Sequence, residues 1–128
     1  MVQVSLARGW DLDVDRGPDW LFVHPRRAAD NATSEPPLAE QIWSLLEQNF
    51  SHRLVLELGD IGPLTSELIG QLAWLEARLR SHDGMLRLCG LSSENLEVLE
   101  RCRSAGPLPL FRDREEAVMG RARPGQPR

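Results

Sequence analysis

Apolar and charged residues alternate from Trp10 to Asp15, the pattern of a strand with one face buried and the other wet. Gly17-Pro18-Asp19 reads as a turn and Trp20 to His24 as a short apolar strand, so the two runs are expected to pair as a hairpin. A polar stretch from Pro25 to Glu35 follows; it is long for a loop in a compact domain, and loops of that length often carry function. Pro36-Pro37 suits a first helical turn, after which Leu38, Ile42, Leu45 and Leu46 share one apolar face until Asn49-Phe50. Leu54 to Leu58 is almost continuously apolar, as a strand covered on both faces is.

After that strand the chain breaks at Gly59, Gly62 and Pro63, and the hydroxyl pair Thr65-Ser66 opens a helical pattern with Leu68, Leu72, Leu75 and Leu79 in one stripe. Asp83-Gly84 turns the chain into a strand from Met85 to Leu91. Ser92 or Ser93 then caps a third helix that is expected to carry Leu96, Leu99 and Cys102 inward and to stop at Gly106-Pro107. Pro109 interrupts the short strand Leu108 to Phe111, which places it at a sheet edge, and Asp113-x-x-Glu116 reads as a capping box before a last short helix. Strands alternating with helices imply parallel pairing. The expected fold is α/β: a mixed, mostly parallel sheet of four to five strands with about four helices, in one domain over residues 1–119.

Composition narrows the function. The 128 residues suffice for one domain with a real core, and their net charge of −4 argues against nucleic acid as the main partner, since phosphate neutralisation needs a basic surface. Arg121, Arg123 and Arg128 lie in a Gly/Pro-rich stretch, 120–128, expected to be a disordered basic tail. No apolar run reaches the roughly 18 residues of a membrane span, and no secretory pattern stands at the start, so no membrane partner and a cytoplasmic location are expected. Cys89 and Cys102 then read as free thiols, and Asn31-Ala32-Thr33 as no glycosylation site.

Catalytic chemistry finds little support. His24, His52 and His82 are isolated along the sequence, and none has a partner at metal-ligand spacing. There is no nucleophile elbow or phosphate-binding glycine loop, and Gly59-Asp60-Ile61-Gly62 reads as a turn. Glu47, Glu76, Glu97 and Glu100 belong to wet helix faces, and Glu115-Glu116 to a first helical turn that favours acids. No enzyme activity, catalytic residue, metal or cofactor is expected.

Three motifs in order resemble the STAS domain of bacterial anti-sigma factor antagonists. Leu56-Glu57-Leu58 followed by Thr65-Ser66-Glu67-Leu68-Ile69-Gly70 is similar to the family's L-D-L strand and D-S-S-G-L-G turn. Arg87-Leu88-Cys89-Gly90-Leu91-Ser92 resembles its strand ending in C-G-L-S, and Leu110-Phe111 through Glu116-Ala117 its terminal strand and helix. The likeness runs from about His52 to Met119. It implies a single STAS-like domain that binds a protein partner, an anti-sigma factor with a histidine-kinase-like ATPase fold. It also implies that Ser66 stands where such antagonists are phosphorylated.

A phosphoserine carries roughly −1.5 to −2 charge near neutral pH. The helix N-terminus tolerates it, whereas a partner surface shaped for a neutral hydroxyl does not. Losing about 3 kcal/mol there weakens binding roughly a hundredfold. The plainer reading of Ser66 is a helix N-cap or a partner contact. Thr65, Glu67 and Leu68 depart from the family pattern, replacing its aspartate, second serine and glycine, and Glu67 sets a fixed negative charge beside the hydroxyl. Ser66, Gly70 and Trp74 are spaced to share one helix side, with Trp74 either a partner anchor or packed under the long loop or hairpin. The candidate partner-binding residues are therefore Thr65, Ser66, Glu67, Gly70 and Trp74. A non-switching STAS scaffold within a sensory assembly, and a small-ligand-binding STAS domain, are the competing readings.

Overall fold

Period-two alternation decides the first half of the fold. In the computed structural model, which describes residues 2–6, 10–27, 38–102 and 108–120, strand β2 (Trp10–Arg16) buries Trp10, Leu12 and Val14 on one face and turns Asp11, Asp13 and Asp15 to the other. It pairs antiparallel with β3 (Leu21–Arg27) through the expected turn, closed by the Gly17 N–H on the Trp20 carbonyl at 2.8 Å. Strand β1 (Val2–Leu6), which the sequence reading did not anticipate, pairs antiparallel along β2.

The remaining strands are β4 (Arg53–Glu57), β5 (Met85–Cys89) and β6 (Leu110–Phe111). They extend the sheet in the order β1-β2-β3-β4-β5-β6, and β3 to β6 run parallel. The helices are α1 (Leu38–Gln48), α2 (Ser66–Ser81), α3 (Ser93–Arg101) and α4 (Arg114–Met119). The result is a single α/β domain with a mixed sheet whose strand pairings are mostly parallel. β6 lies at the edge, as Pro109 required.

Parallel neighbours joined in monotonic order put their crossover helices on one face. Leu21, Val23, Leu54, Leu56, Leu86 and Leu88 point to that face and pack with Ile42 and Leu46 of α1 and with Leu68, Leu72, Leu75 and Leu79 of α2. Each such buried side chain stabilises the fold by about 1.5–3 kcal/mol. Val55 and Cys89 point the other way, with Trp20 and Phe22, onto Ala117 of α4. β4 is thus covered on both sides, as its continuous apolar run implied.

Two local expectations change. Pro25 does not open the long loop: it and Arg26 continue β3, in register with Leu12 and Asp11. β3 pairs with β4 only through Leu21–Val23, so Pro25 sits where that side of the strand is already free and the missing N–H costs no ladder bond. Arg26 is ion-paired with Asp13 at 3.1 Å rather than free in a loop.

In α3 the buried position is Asn95, and Val98, Leu99 and Cys102 pack on the core with it. That stripe is i, i+3, i+4, i+7, which Leu96 does not share. Residues 28–35 of the expected loop, the Pro36-Pro37 start, the Asn31-Ala32-Thr33 pattern, the Gly106-Pro107 stop and the tail after Gly120 lie outside the described residues.

Candidate functional site

The β4–α2 connection is the candidate site, and alternating burial shapes it. Leu58, Ile61 and Leu64 are buried, whereas Gly59, Asp60, Gly62 and Pro63 are exposed. The Leu58 N–H extends the ladder to the Cys89 carbonyl at 2.8 Å. Beside it Gly90 adopts φ 80°, a left-handed backbone that residues with a Cβ rarely take, so glycine suits this crossing.

Asn95, reaching in from α3, fixes the loop's second half. Its Oδ1 accepts the Leu64 N–H at 2.9 Å, and its Nδ2 donates to the Gly62 carbonyl at 2.9 Å. Its own N–H donates to Oγ of Ser92, the α3 N-cap, at 3.2 Å. The loop's first half is held by Asp60 Oδ2, 2.6 Å from His24 Nε2 on β3. The sequence reading missed Asn95; the signal was its place in the α3 stripe, concealed because the residue is polar.

Thr65, not Ser66, is the N-cap of α2. Its backbone is extended and its Oγ1 accepts the Leu68 N–H at 3.1 Å. Ser66 is therefore the first helical residue. It is exposed, and its hydroxyl has no hydrogen-bond partner among the described residues. Glu67, also exposed, is an acid in the first turn, where the helix dipole favours it. Four residues on from Ser66, Gly70 is exposed, with nothing within 4 Å of where a Cβ would stand.

One turn further, Trp74 is 41% exposed, opposite the Leu68-Leu72-Leu75-Leu79 stripe. Thr65, Ser66, Glu67, Gly70 and Trp74 all reach the surface of one element. The Arg78 guanidinium lies 5.3 Å from the Trp74 ring and 4.7 Å from that of buried Trp43.

Folding joins two of the histidines that stand apart in sequence. His52 stacks on Trp43 at 5.7 Å, His82 meets the same ring edge-on at 4.9 Å, and the two imidazoles are 5.5 Å apart. They precede β4 and β5, whose parallel register brings those starts together. Among the described residues no group of three or more His, Cys, Asp or Glu can hold a metal.

On the other face Arg114 donates to Glu57 Oε2 at 2.6 Å and to Asp15 Oδ2 at 2.9 Å and lies 4.2 Å over Phe22, pinning α4 to β2 and β4. The bond to Glu57, more than any other contact, raises the Arg114 pKa. The Asp113 cap of α4 accepts the Glu116 N–H at 2.9 Å, while the Glu116 carboxylate reaches back to the Arg112 N–H at 3.2 Å. The expected box is thus closed one residue further out.

The chain has the STAS-domain fold. A solved structure of the protein TM1081 superposes with a TM-score of 0.68 at 15% identity, covering 83% of this chain and 84% of that one. A serine-to-glutamate variant of RsbS from Moorella thermoacetica superposes with a TM-score of 0.61 at 14% identity, covering 85% of this chain and 92% of that one. Neither a sequence-family model nor a curated protein sequence matches the chain.

Proposed function

We propose that the protein is a regulatory STAS module, of the anti-sigma factor antagonist type, that binds a protein partner through the start of α2. The Ser66 hydroxyl carries this reading. Thr65 already does the capping, so an exposed and unpartnered Ser66 has no structural duty among the described residues. Gly70 leaves room for a partner backbone and Trp74 offers an aromatic anchor one turn on. The fold is shared with RsbS, a STAS anti-sigma factor antagonist. The partner in this reading is a kinase-type anti-sigma factor with a histidine-kinase-like ATPase fold, which phosphorylates Ser66 in the cytoplasm and so releases itself. Among the described residues no helix is long and apolar enough to cross a membrane.

Incubation with such a kinase and ATP, followed by intact mass, tests the switch. One added phosphate, lost in Ser66→Ala, is expected, and an unmodified chain that still binds the partner would defeat the switch. That second outcome is the non-switching scaffold, which exposed Glu67 favours by holding a permanent charge beside the hydroxyl.

A further inference from the structure

Among the described residues, the sheet face opposite α1, α2 and α3 is covered by the six-residue α4 alone, which leaves the strand ends away from Ser66 uncovered. Trp20 lies there with the Arg53 guanidinium 4.5 Å and the Arg87 guanidinium 4.9 Å from its ring. Arg87 also donates to the Ala117 carbonyl at 2.7 Å and reaches Met85 Sδ at 3.7 Å, which joins Met85 and the end of α4 to the same patch. Met85, Val118 and Met119 remain 44, 38 and 56% exposed. A cleft of about 310 Å³ continues the patch around the sheet end, with Arg16, Trp20, Phe50, His52 and Arg53 in its wall.

Phe50 makes this margin more than an uncovered face. It is 95% exposed and has φ 52°. It follows α1, with its N–H on the Glu47 carbonyl at 3.2 Å and the Ser51 N–H on the Leu46 carbonyl at 3.0 Å. That is a Schellman turn, and its left-handed position is ordinarily glycine or asparagine. A phenylalanine there is conformationally disfavoured, and among the described residues it buries almost none of its ring in return.

Among the described residues, the arginines of the margin also outnumber its carboxylates. Arg26, Arg80, Arg101, Arg112 and Arg114 each meet a carboxylate. Arg16, Arg53 and Arg87 meet none among the described residues. Burial first, and then the Arg53 charge, lower the pKa of Arg87. Asp19 is the one carboxylate in the described wall of the cleft, against two arginines.

We propose that this margin is a second docking surface whose occupant is an acidic segment of a partner protein, its carboxylates meeting Arg16, Arg53 and Arg87 and one apolar side chain entering the cleft beside Phe50 and Trp20. Arginine and aromatic residues with methionine are what the centres of protein interfaces concentrate. An anionic membrane would repel a chain of net charge −4, whereas a short acidic segment meets only the local positive field.

The test is selection of a displayed random dodecapeptide library on the whole protein, with Phe50→Asn and Arg53→Gln variants as counter-targets. Enriched peptides are expected to carry Asp or Glu around one apolar residue. Their calorimetric affinity is expected to fall at least roughly tenfold in Phe50→Asn and in Arg53→Gln and to be unchanged in Trp74→Ala. Asparagine accepts the left-handed position, so Phe50→Asn is expected to melt no lower than the parent. Arg16→Gln, an exposed change, gives a second reading of the charge contribution.

Enrichment that is equal on the variants, or peptides without acidic residues, would overturn the proposal. So would Phe50-dependent sedimentation with phosphatidylcholine vesicles containing phosphatidylglycerol in place of peptide capture.

Discussion

Asn95 holds Leu64 by a 2.9 Å bond from the Leu64 N–H to its side-chain oxygen, across 31 residues of sequence. With the 2.9 Å bond to the Gly62 carbonyl, one buried amide sets the height at which the chain enters α2. Asn95→Ala leaves a buried N–H without a partner and removes the donor to Gly62. It is expected to cost about 2–4 kcal/mol in denaturant unfolding, since each unmet buried group costs about 1–3 kcal/mol. Exchange of the Leu64 amide is expected to accelerate beyond the global change, and exchange that keeps pace with global unfolding would show that the loop holds without Asn95.

Thr65 and Ser66 are chemically alike and structurally distinct, so under the proposed function they separate stability from signalling. Thr65→Ala removes the acceptor of the Leu68 N–H and is expected to cost about 1 kcal/mol. Ser66→Ala removes an exposed hydroxyl and is expected to change stability by less than about 0.5 kcal/mol. Under the proposed function, only Ser66→Ala abolishes phosphate uptake in intact mass. A Ser66→Ala variant that melts well below Thr65→Ala would make Ser66 a structural residue after all.

The two tryptophans linked by Arg78 are expected to divide in the same way. Trp43 is 6% exposed and packed on His52 and His82. Trp43→Ala is expected to cost about 3–5 kcal/mol, as large-to-small core changes do. Trp74, 41% exposed on the outer side of α2, is expected to cost less than half as much while abolishing partner capture in a pull-down. Equal losses of stability would place Trp74 in the core and remove it from the partner surface.

Strong periodicity made most of the frame legible. The W-D-L-D-V-D run gave β2, the continuous Leu54 to Leu58 run gave the central strand, and the leucine stripe gave α2. What failed did so for local reasons. Val2–Leu6 carries the same period as β2 over only five residues, and Pro25 looked like a strand end because its pairing side cannot be read from one strand alone. The site was legible as a junction but not as a division of labour. Both hydroxyls suit a cap, and only the backbone decides that Thr65 takes it. Asn95, Phe50 and the His52–His82 pair depend on contacts across the fold or on a backbone sign, neither of which has a sequence period.

Cys89 gives the fold a handle on pH. It is 2% exposed on the α4 face of the sheet. Burial chiefly, and then the Glu57 and Asp113 charges, push its pKa from 9.0 up to about 12, with Arg114 opposing. The thiolate is the reactive form, so native protein treated with iodoacetamide near neutral pH is expected to take one adduct, on half-buried Cys102, and none on Cys89. The stability sign follows from the same shift. An unfolded chain releases this proton near pH 9.0, while the folded chain keeps it to about pH 12. The contribution is therefore complete below pH 9.0 and declines as pH rises toward 12, because the unfolded state alone gains by ionising. Denaturant midpoints at about pH 8 and about pH 10.5 are expected to differ more in the parent than in Cys89→Ala, which has no thiol to ionise. Equal alkaline losses in the two proteins would assign the decline to other groups and leave Cys89 a plain packing residue.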